Sequence, residues 1–190
     1  MARRHDLVGL TVLALLSVRP SHPYELHRFI VDTHKDYITG LPRSLYHAVE
    51  RLAKDELIAP AGTGREGRRP ERTVYEITGE GREELRTRLR QLLEKPDPDR
   101  RAFVAAVSLI GCLPLAEAQR ALRARAATIE GLLAGMEAHL RAVADSGLPA
   151  ILTLEVEIER ALYTAELKWI KDLFDRLDKG ELDWETTIEM

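Results

Sequence analysis

Arg65, Arg68, Arg69 and Arg72 fall within eight residues, in a stretch that also holds Gly62, Gly64, Gly67 and Pro70. Four guanidinium groups on a glycine-rich connector suit contact with nucleic-acid phosphates or entry into a minor groove. The plainer alternative is a charged, solvated turn. A second set lies just upstream. Arg43, Ser44, Tyr46, His47, Arg51 and Lys54 fall on the polar side of a helical pattern whose other side is Leu45, Ala48, Val49 and Leu52. Arg43 can grip a guanine edge or a phosphate, and the Ser44 and Tyr46 hydroxyls suit phosphates. The alternative here is a solvated helix face with Glu50 supporting Lys54 across one turn.

Other chemistries are poorly supplied. Residues 62–67 match the spacing G-x-G-x-x-G, but they do not open a helix after a strand, so a dinucleotide site fails on context. No nucleophile is matched with a base and no motif places a carboxylate pair, so no catalytic residue is assigned and no enzyme is expected. His22, His27 and His34 sit five and seven residues apart, which directs them poorly to one site, and Cys112 and His139 are distant in sequence. No metal site and no cofactor is expected. Cys112 is the single cysteine; it excludes an intrachain disulfide and reads as a small hydrophobe in a reducing compartment.

The chain has 190 residues, 31% charged, 45% hydrophobic and only 5% aromatic. That is globular composition with a core of Leu, Ala, Ile and Val. A net charge of −3 argues against a chain-wide electrostatic binder, yet the halves differ. Residues 1–94 hold 16 basic and 14 acidic side chains, and residues 95–190 hold 12 and 17. A local basic footprint is what DNA binding requires. The longest apolar stretch, Leu7–Val18, is too short to span a membrane and precedes no cleavage site. The expectation is a cytoplasmic protein without a membrane partner.

The elements that would position these residues follow from periodicity and punctuation. Leu7–Val18 reads as a largely buried helix. A second helix covers Tyr24–His34, with Ser21 or His22 near its cap and Pro23 in its first turn. A third runs from near Pro42 to about Asp55. Leu57–Ala59 and Thr73–Ile77 read as strands of a hairpin whose tip is the arginine-rich loop. A fourth helix runs from Thr78 or Gly79 to about Glu94. Lys95-Pro96-Asp97-Pro98-Asp99 cannot continue a helix. Beyond it, the pattern predicts a short helix over 100–111, a long one from Pro114 to about Asp145, a turn at 146–149 and a last helix over about 150–177. Leu115, Leu122, Ile129, Met136 and Val143 recur every seven residues, the mark of helix-on-helix packing. On the last helix Leu154, Ile158, Leu162, Ala165, Trp169, Leu173 and Leu177 are expected on one face.

The fold expected is therefore mainly α. Residues 1–94 form a winged helix-turn-helix DNA-binding domain of three helices, a two-stranded wing and a fourth helix. Residues 95–99 are a linker, and residues 100–190 an antiparallel helical dimerisation and effector domain. A lone hairpin has too little surface to bury such stripes, so a second copy is the simplest partner. The expected dimer contacts are Leu122, Ile129, Met136, Leu154, Ile158, Leu162 and Trp169; Trp184, in an acidic tail, is a further candidate for docking on the partner.

Three segments carry a more specific resemblance. His22-Pro23-Tyr24-Glu25-Leu26, Ser44-Leu45-Tyr46-His47-Ala48-Val49-Glu50-Arg51-Leu52, and Arg68-Arg69-Pro70 through Tyr75-Glu76-Ile77-Thr78-Gly79-Glu80-Gly81 resemble the PadR family of bacterial transcriptional regulators. Glu166-Leu167-Lys168-Trp169 resembles the dimer arm of its long-tailed branch. The resemblance implies a cytoplasmic, mostly dimeric repressor, often released by a small molecule, with Tyr46 on the DNA backbone. The expected partners are double-stranded DNA with a pseudo-palindromic operator, a second copy, and a small-molecule effector whose binding residues the sequence does not name. Three positions depart from the family pattern. Pro23 stands where Gly usually precedes the tyrosine, His47 where Pro often follows one, and Asp55 or Glu56 where Gly often ends the third helix. A competing expectation is a winged-helix module for protein–protein contacts.

Overall fold

The computed structural model describes residues 5–33, 42–64 and 72–184. In chain order the elements are α1 (Leu7–Val18), α2 (Pro23–Asp32), α3 (Pro42–Lys54), β1 (Ile58–Gly64), β2 (Arg72–Ile77), α4 (Gly79–Glu94), α5 (Arg100–Ser108), α6 (Leu115–Asp145) and α7 (Leu154–Asp178). Short 3-10 turns cover Ile110–Cys112 and Ala150–Thr153. The contacts divide the chain into two units. The first holds the described residues up to Leu92 with Asp97–Pro114, and the second holds Leu93–Pro96 and the chain from Leu115. Helix α5, which the sequence pattern groups with the C-terminal helices, thus packs with the first unit.

In the first unit α1 is buried from Gly9 to Leu16, as a helix apolar all round must be. Asp6 caps it, its Oδ1 accepting from the Gly9 N–H at 3.0 Å. Helix α2 begins on a reciprocal cap: the His22 Nδ1 accepts from the Tyr24 N–H at 3.1 Å, and Glu25 accepts from the His22 N–H at 2.8 Å. Pro23 follows this cap as the first helical residue, where its missing N–H costs nothing. Leu26 and Ile30 of α2, Leu45, Ala48, Val49 and Leu52 of α3, and Leu10, Leu13 and Leu16 of α1 are all buried.

Strands β1 and β2 pair antiparallel from Ile58↔Ile77 to Gly64↔Arg72. The register slips between Pro60↔Tyr75 and Gly62↔Val74, leaving Ala61 as a bulge. The hairpin is longer than the sequence suggests because Pro60 and Gly62 are tolerated at an irregular pairing. Ser21 adds one bridge on the far edge of β2: its N–H donates to the Tyr75 carbonyl and its carbonyl accepts from the Tyr75 N–H, both at 3.0 Å. This joins the turn before α2 to the hairpin.

In the second unit α6 and α7 are joined by a turn at 146–149 and the 3-10 segment. Contacts between them run in opposite senses: Arg123 lies over the Phe174 ring at 5.5 Å, and Lys171 pairs with Glu130 at 3.0 Å. Arg125, 2% exposed, donates to Glu166 at 2.5 Å and to the Lys95 carbonyl at 2.7 Å. Two sequence expectations need correction here. Leu122 and Ile129 are 1% and 0% exposed within the single chain, so they are interior packing residues and leave the set of partner contacts. The stripe proposed on α7 is really two. Leu154, Ile158, Leu162 and Trp169 are exposed at 37–56%, whereas Leu173 is buried. At about 100° per residue each four-residue step advances ~40°, so the run drifts from an outer face onto the inner face of Ile170 and Leu173.

Candidate nucleic-acid interface

Helix α3 divides cleanly by exposure. Leu45, Ala48, Val49 and Leu52 hold it on α1 and α2, and Arg43, Tyr46, His47, Glu50, Arg51 and Lys54 face outward. Ser44 is half-buried. The outward set spans about 16 Å along the axis at ~1.5 Å per residue, a length that suits one major-groove passage. His47 lies with its Nδ1 3.5 Å from Glu50. Lys54, at the last turn, adds a cation at the end of α3 where the helix dipole favours one.

Arg51 reaches beyond its own helix. Its guanidinium pairs with the Asp6 carboxylate at the start of α1. Asp6 was not among the residues selected from sequence. The signal for it exists: Asp6 precedes an apolar run by one residue and stands three before Gly9, the pattern of a helix cap.

The end of α3 is built around Glu56, whose φ of 58° lies in the left-handed region. The Glu56 N–H donates to the Ala53 carbonyl and the Leu57 N–H to the Leu52 carbonyl at 2.9 Å. This is a Schellman stop with Glu at the position Gly usually takes. Thr78 then locks the stop to α4. Its hydroxyl donates to the Glu56 carbonyl at 2.9 Å and accepts from the Gly81 N–H at 3.0 Å. The hairpin thereby leaves α3 at a fixed point.

The pairing Gly64↔Arg72 closes β1 on β2, so residues 65–71 connect the strands. Arg65, Arg68 and Arg69 lie outside the described residues. Arg72 opens β2, and its side chain is also outside them.

Near the N-terminus His5 meets Asp97 at 2.9 Å, and that hydrogen bond holds the Asp97 carboxyl below the usual carboxylate range. Asp99 caps α5; the Arg101 guanidinium, at 3.0 Å, lowers its pKa first, and the Arg101 N–H adds to the effect. Among the described residues no group of three His, Cys, Asp or Glu side chains is placed to hold a metal ion. Among them, too, no helix is long and apolar enough to cross a membrane.

A helix of this exposure, preceded by a packed helix and followed by a two-stranded hairpin, is a winged helix-turn-helix, a class of nucleic-acid-binding domain. Residues 12–87 match the Transcriptional regulator PadR-like family. Among solved structures it is similar to PadR from Bacillus subtilis in complex with operator DNA, at 16% identity over 90% of this chain and 97% of that one, with a TM-score of 0.45. It is also similar to a PadR-like transcriptional regulator from Bacillus cereus, at 18% identity, 93% and 99% coverage and a TM-score of 0.39. A third similar structure is Bacillus subtilis PadR in complex with p-coumaric acid, at 14% identity, 91% and 99% coverage and a TM-score of 0.39. A search of curated proteins gave no match.

Proposed function

We propose that the chain is a cytoplasmic, dimeric, sequence-specific repressor that binds double-stranded DNA through α3 and the wing and is released by a small-molecule effector. The observation that carries DNA binding is the exposed row of Arg43, Tyr46, His47 and Lys54 on a helix whose other face is fully packed. Arg43 and His47 face base edges, Tyr46 and Ser44 meet phosphates, and Arg65, Arg68, Arg69 and Arg72 grip the flanking backbone or minor groove. No catalytic role is needed to account for these residues.

The dimer reading rests on the outer stripe of α7. Leu154, Ile158, Leu162 and Trp169 are unburied in one chain, and a ridge of that size is costly to leave in water. Met136 is half-buried and belongs to the same seam. Beside it Gly131, Leu132, Gly135, Met136, His139 and Val156 line an open groove of about 460 Å³. Nothing lies within 4 Å of a Cβ built on Gly131 or Gly135, which leaves room for a partner helix. Effector release rests on the PadR-like character of the domain and names no pocket.

Selection of genomic fragments by the purified protein at two salt concentrations tests this reading. Enrichment of a short inverted repeat, weakened steeply by salt, is the expected result. Absence of enrichment at low salt, with and without cell extract as a source of co-ligand, overturns it in favour of a protein-interaction module.

A further inference from the structure

Both oxygens of the Asp6 carboxylate are committed. Oδ1 accepts from the Gly9 N–H at 3.0 Å and caps α1. Oδ2 accepts from the Arg51 guanidinium, in the last turn of α3, and lies 3.9 Å from the Arg88 guanidinium of α4. One carboxylate thus gathers the start of α1, the end of α3 and the middle of α4. The carboxylate can sit so close over α1 because residue 9 is glycine. A Cβ there would lie 2.3 Å from Asp6 Oδ2 and 2.9 Å from its Cγ. Capping alone does not require such an approach to residue 9, since it uses only Oδ1; the second oxygen is the one turned to the arginines.

We propose that Asp6 is a positioning residue for DNA recognition, and that Arg51 is its tether on the recognition helix and makes no DNA contact. The inference rests on the DNA-binding reading of α3. An aspartate pairing an arginine on a DNA-facing helix has two opposed consequences. It removes one cation from the phosphate contacts, and it fixes the axial rotation of that helix on its scaffold. A charge-assisted pair is directional and short, so it orients α3 where apolar packing of Leu45, Val49 and Leu52 alone leaves rotation softer. Base readout needs that rotation to be held, because a bidentate arginine contact tolerates little misalignment. Binding to phosphates alone does not.

Asp6→Asn separates the two roles. Asparagine keeps the helix cap and removes the charge that holds Arg51, while Arg88 keeps Glu84 of its own helix at 2.6 Å. In the free, full-length protein, amide exchange of residues 51–54 should accelerate in D6N by about tenfold, while the α1 core amides are unchanged. Unchanged exchange at 51–54 overturns the tether whatever the protein does with DNA. On DNA, the probes are a duplex carrying the inverted repeat recovered by selection and a shuffled duplex of equal length. D6N should lose about tenfold on the first and nothing on the second, with an unaltered salt slope. R51A should behave in the same way, and D6N/R51A no worse than either alone. If D6N instead binds both duplexes more tightly, or if R51A lowers the salt slope by about one, Arg51 is a phosphate ligand restrained by Asp6 and the proposal falls. Wild-type protein that fails to distinguish the two duplexes refutes the DNA-binding reading separately, leaving the exchange result to judge the tether.

Discussion

Glu56 and Gly81 show how single backbone positions set the geometry between α3, the hairpin and α4. Glu56 holds φ 58° and is exposed, so its side chain gives little back for the ~1 kcal/mol a non-glycine residue loses in this conformation. Glu56→Gly should therefore raise stability by about 0.5–1 kcal/mol, read as a higher urea midpoint at unchanged slope. Gly81 is the reverse case. A Cβ there would lie 2.0 Å from the Leu57 carbonyl oxygen and 2.8 Å from Ile77 Cγ1. Gly81→Ala should cost about 2–3 kcal/mol through forced separation of α4 from β1, measured in the same titration. Asp97 adds a pH dependence. Its carboxyl pKa is depressed, chiefly by the His5 hydrogen bond. The stabilisation is full above the ordinary carboxylate range and disappears as pH falls through the depressed value. His5→Ala should remove it, so the difference in urea midpoint between wild type and H5A should narrow on acidification below that range.

At the scale of elements, the proposed binding divides between α3 and the wing, and the two contributions should separate by salt. Arg43→Ala should weaken binding to the selected repeat by about 10- to 100-fold, the range of a lost bidentate base contact, with little change on a shuffled duplex. Replacing Arg65, Arg68, Arg69 and Arg72 together should weaken both duplexes and flatten the salt slope by about two to four. Much of this architecture was readable in advance. Leu7–Val18 is ended by Arg19-Pro20, and α3 is marked by the clean split of its apolar and charged positions; strong local signals leave little for tertiary context to change. The misreadings have a common cause in competition between neighbours. Helix α2 stops at Asp32, two residues earlier than expected. Strand β1 runs to Gly64 because β2 offers it partners through a bulge, which no local preference announces. Arg125 and Glu166 sit on positions that a binary pattern assigns to the surface, yet Arg125 is 2% exposed. Their pairing joins residues 41 apart in sequence, on two different helices. Arg125→Ala should remove the buried partner that meets Glu166 at 2.5 Å and destabilise the helical unit by about 3 kcal/mol, visible as earlier loss of helix signal on heating.

At the scale of the molecule, the proposed recognition of an inverted repeat would call on surfaces outside the winged unit. In that reading α3, whose outward residues span about 16 Å at ~1.5 Å per residue, would serve one half-site. A second half-site one helical turn away, some ~34–36 Å, requires a second chain held by contacts outside the winged unit. The outer stripe of α7 supplies a surface of the right kind: Leu154, Ile158, Leu162 and Trp169 are at least 37% exposed and recur at steps that keep them on one side of the helix. The inner stripe cannot serve, because Ile170 and Leu173 are already buried in the single chain. Substitutions on the two stripes should then fail in different ways. Ile158→Glu with Leu162→Glu should leave a folded monomer by sedimentation velocity, with helix content retained and with affinity for the inverted repeat reduced to that for an isolated half-site. Ile170→Glu should unfold the helical unit, because it buries a charge without a partner. Arg43→Ala should remain a dimer while losing the repeat. A double-glutamate variant that stays dimeric would move the interface off this face of α7, and with it the basis for expecting a two-fold operator from this surface.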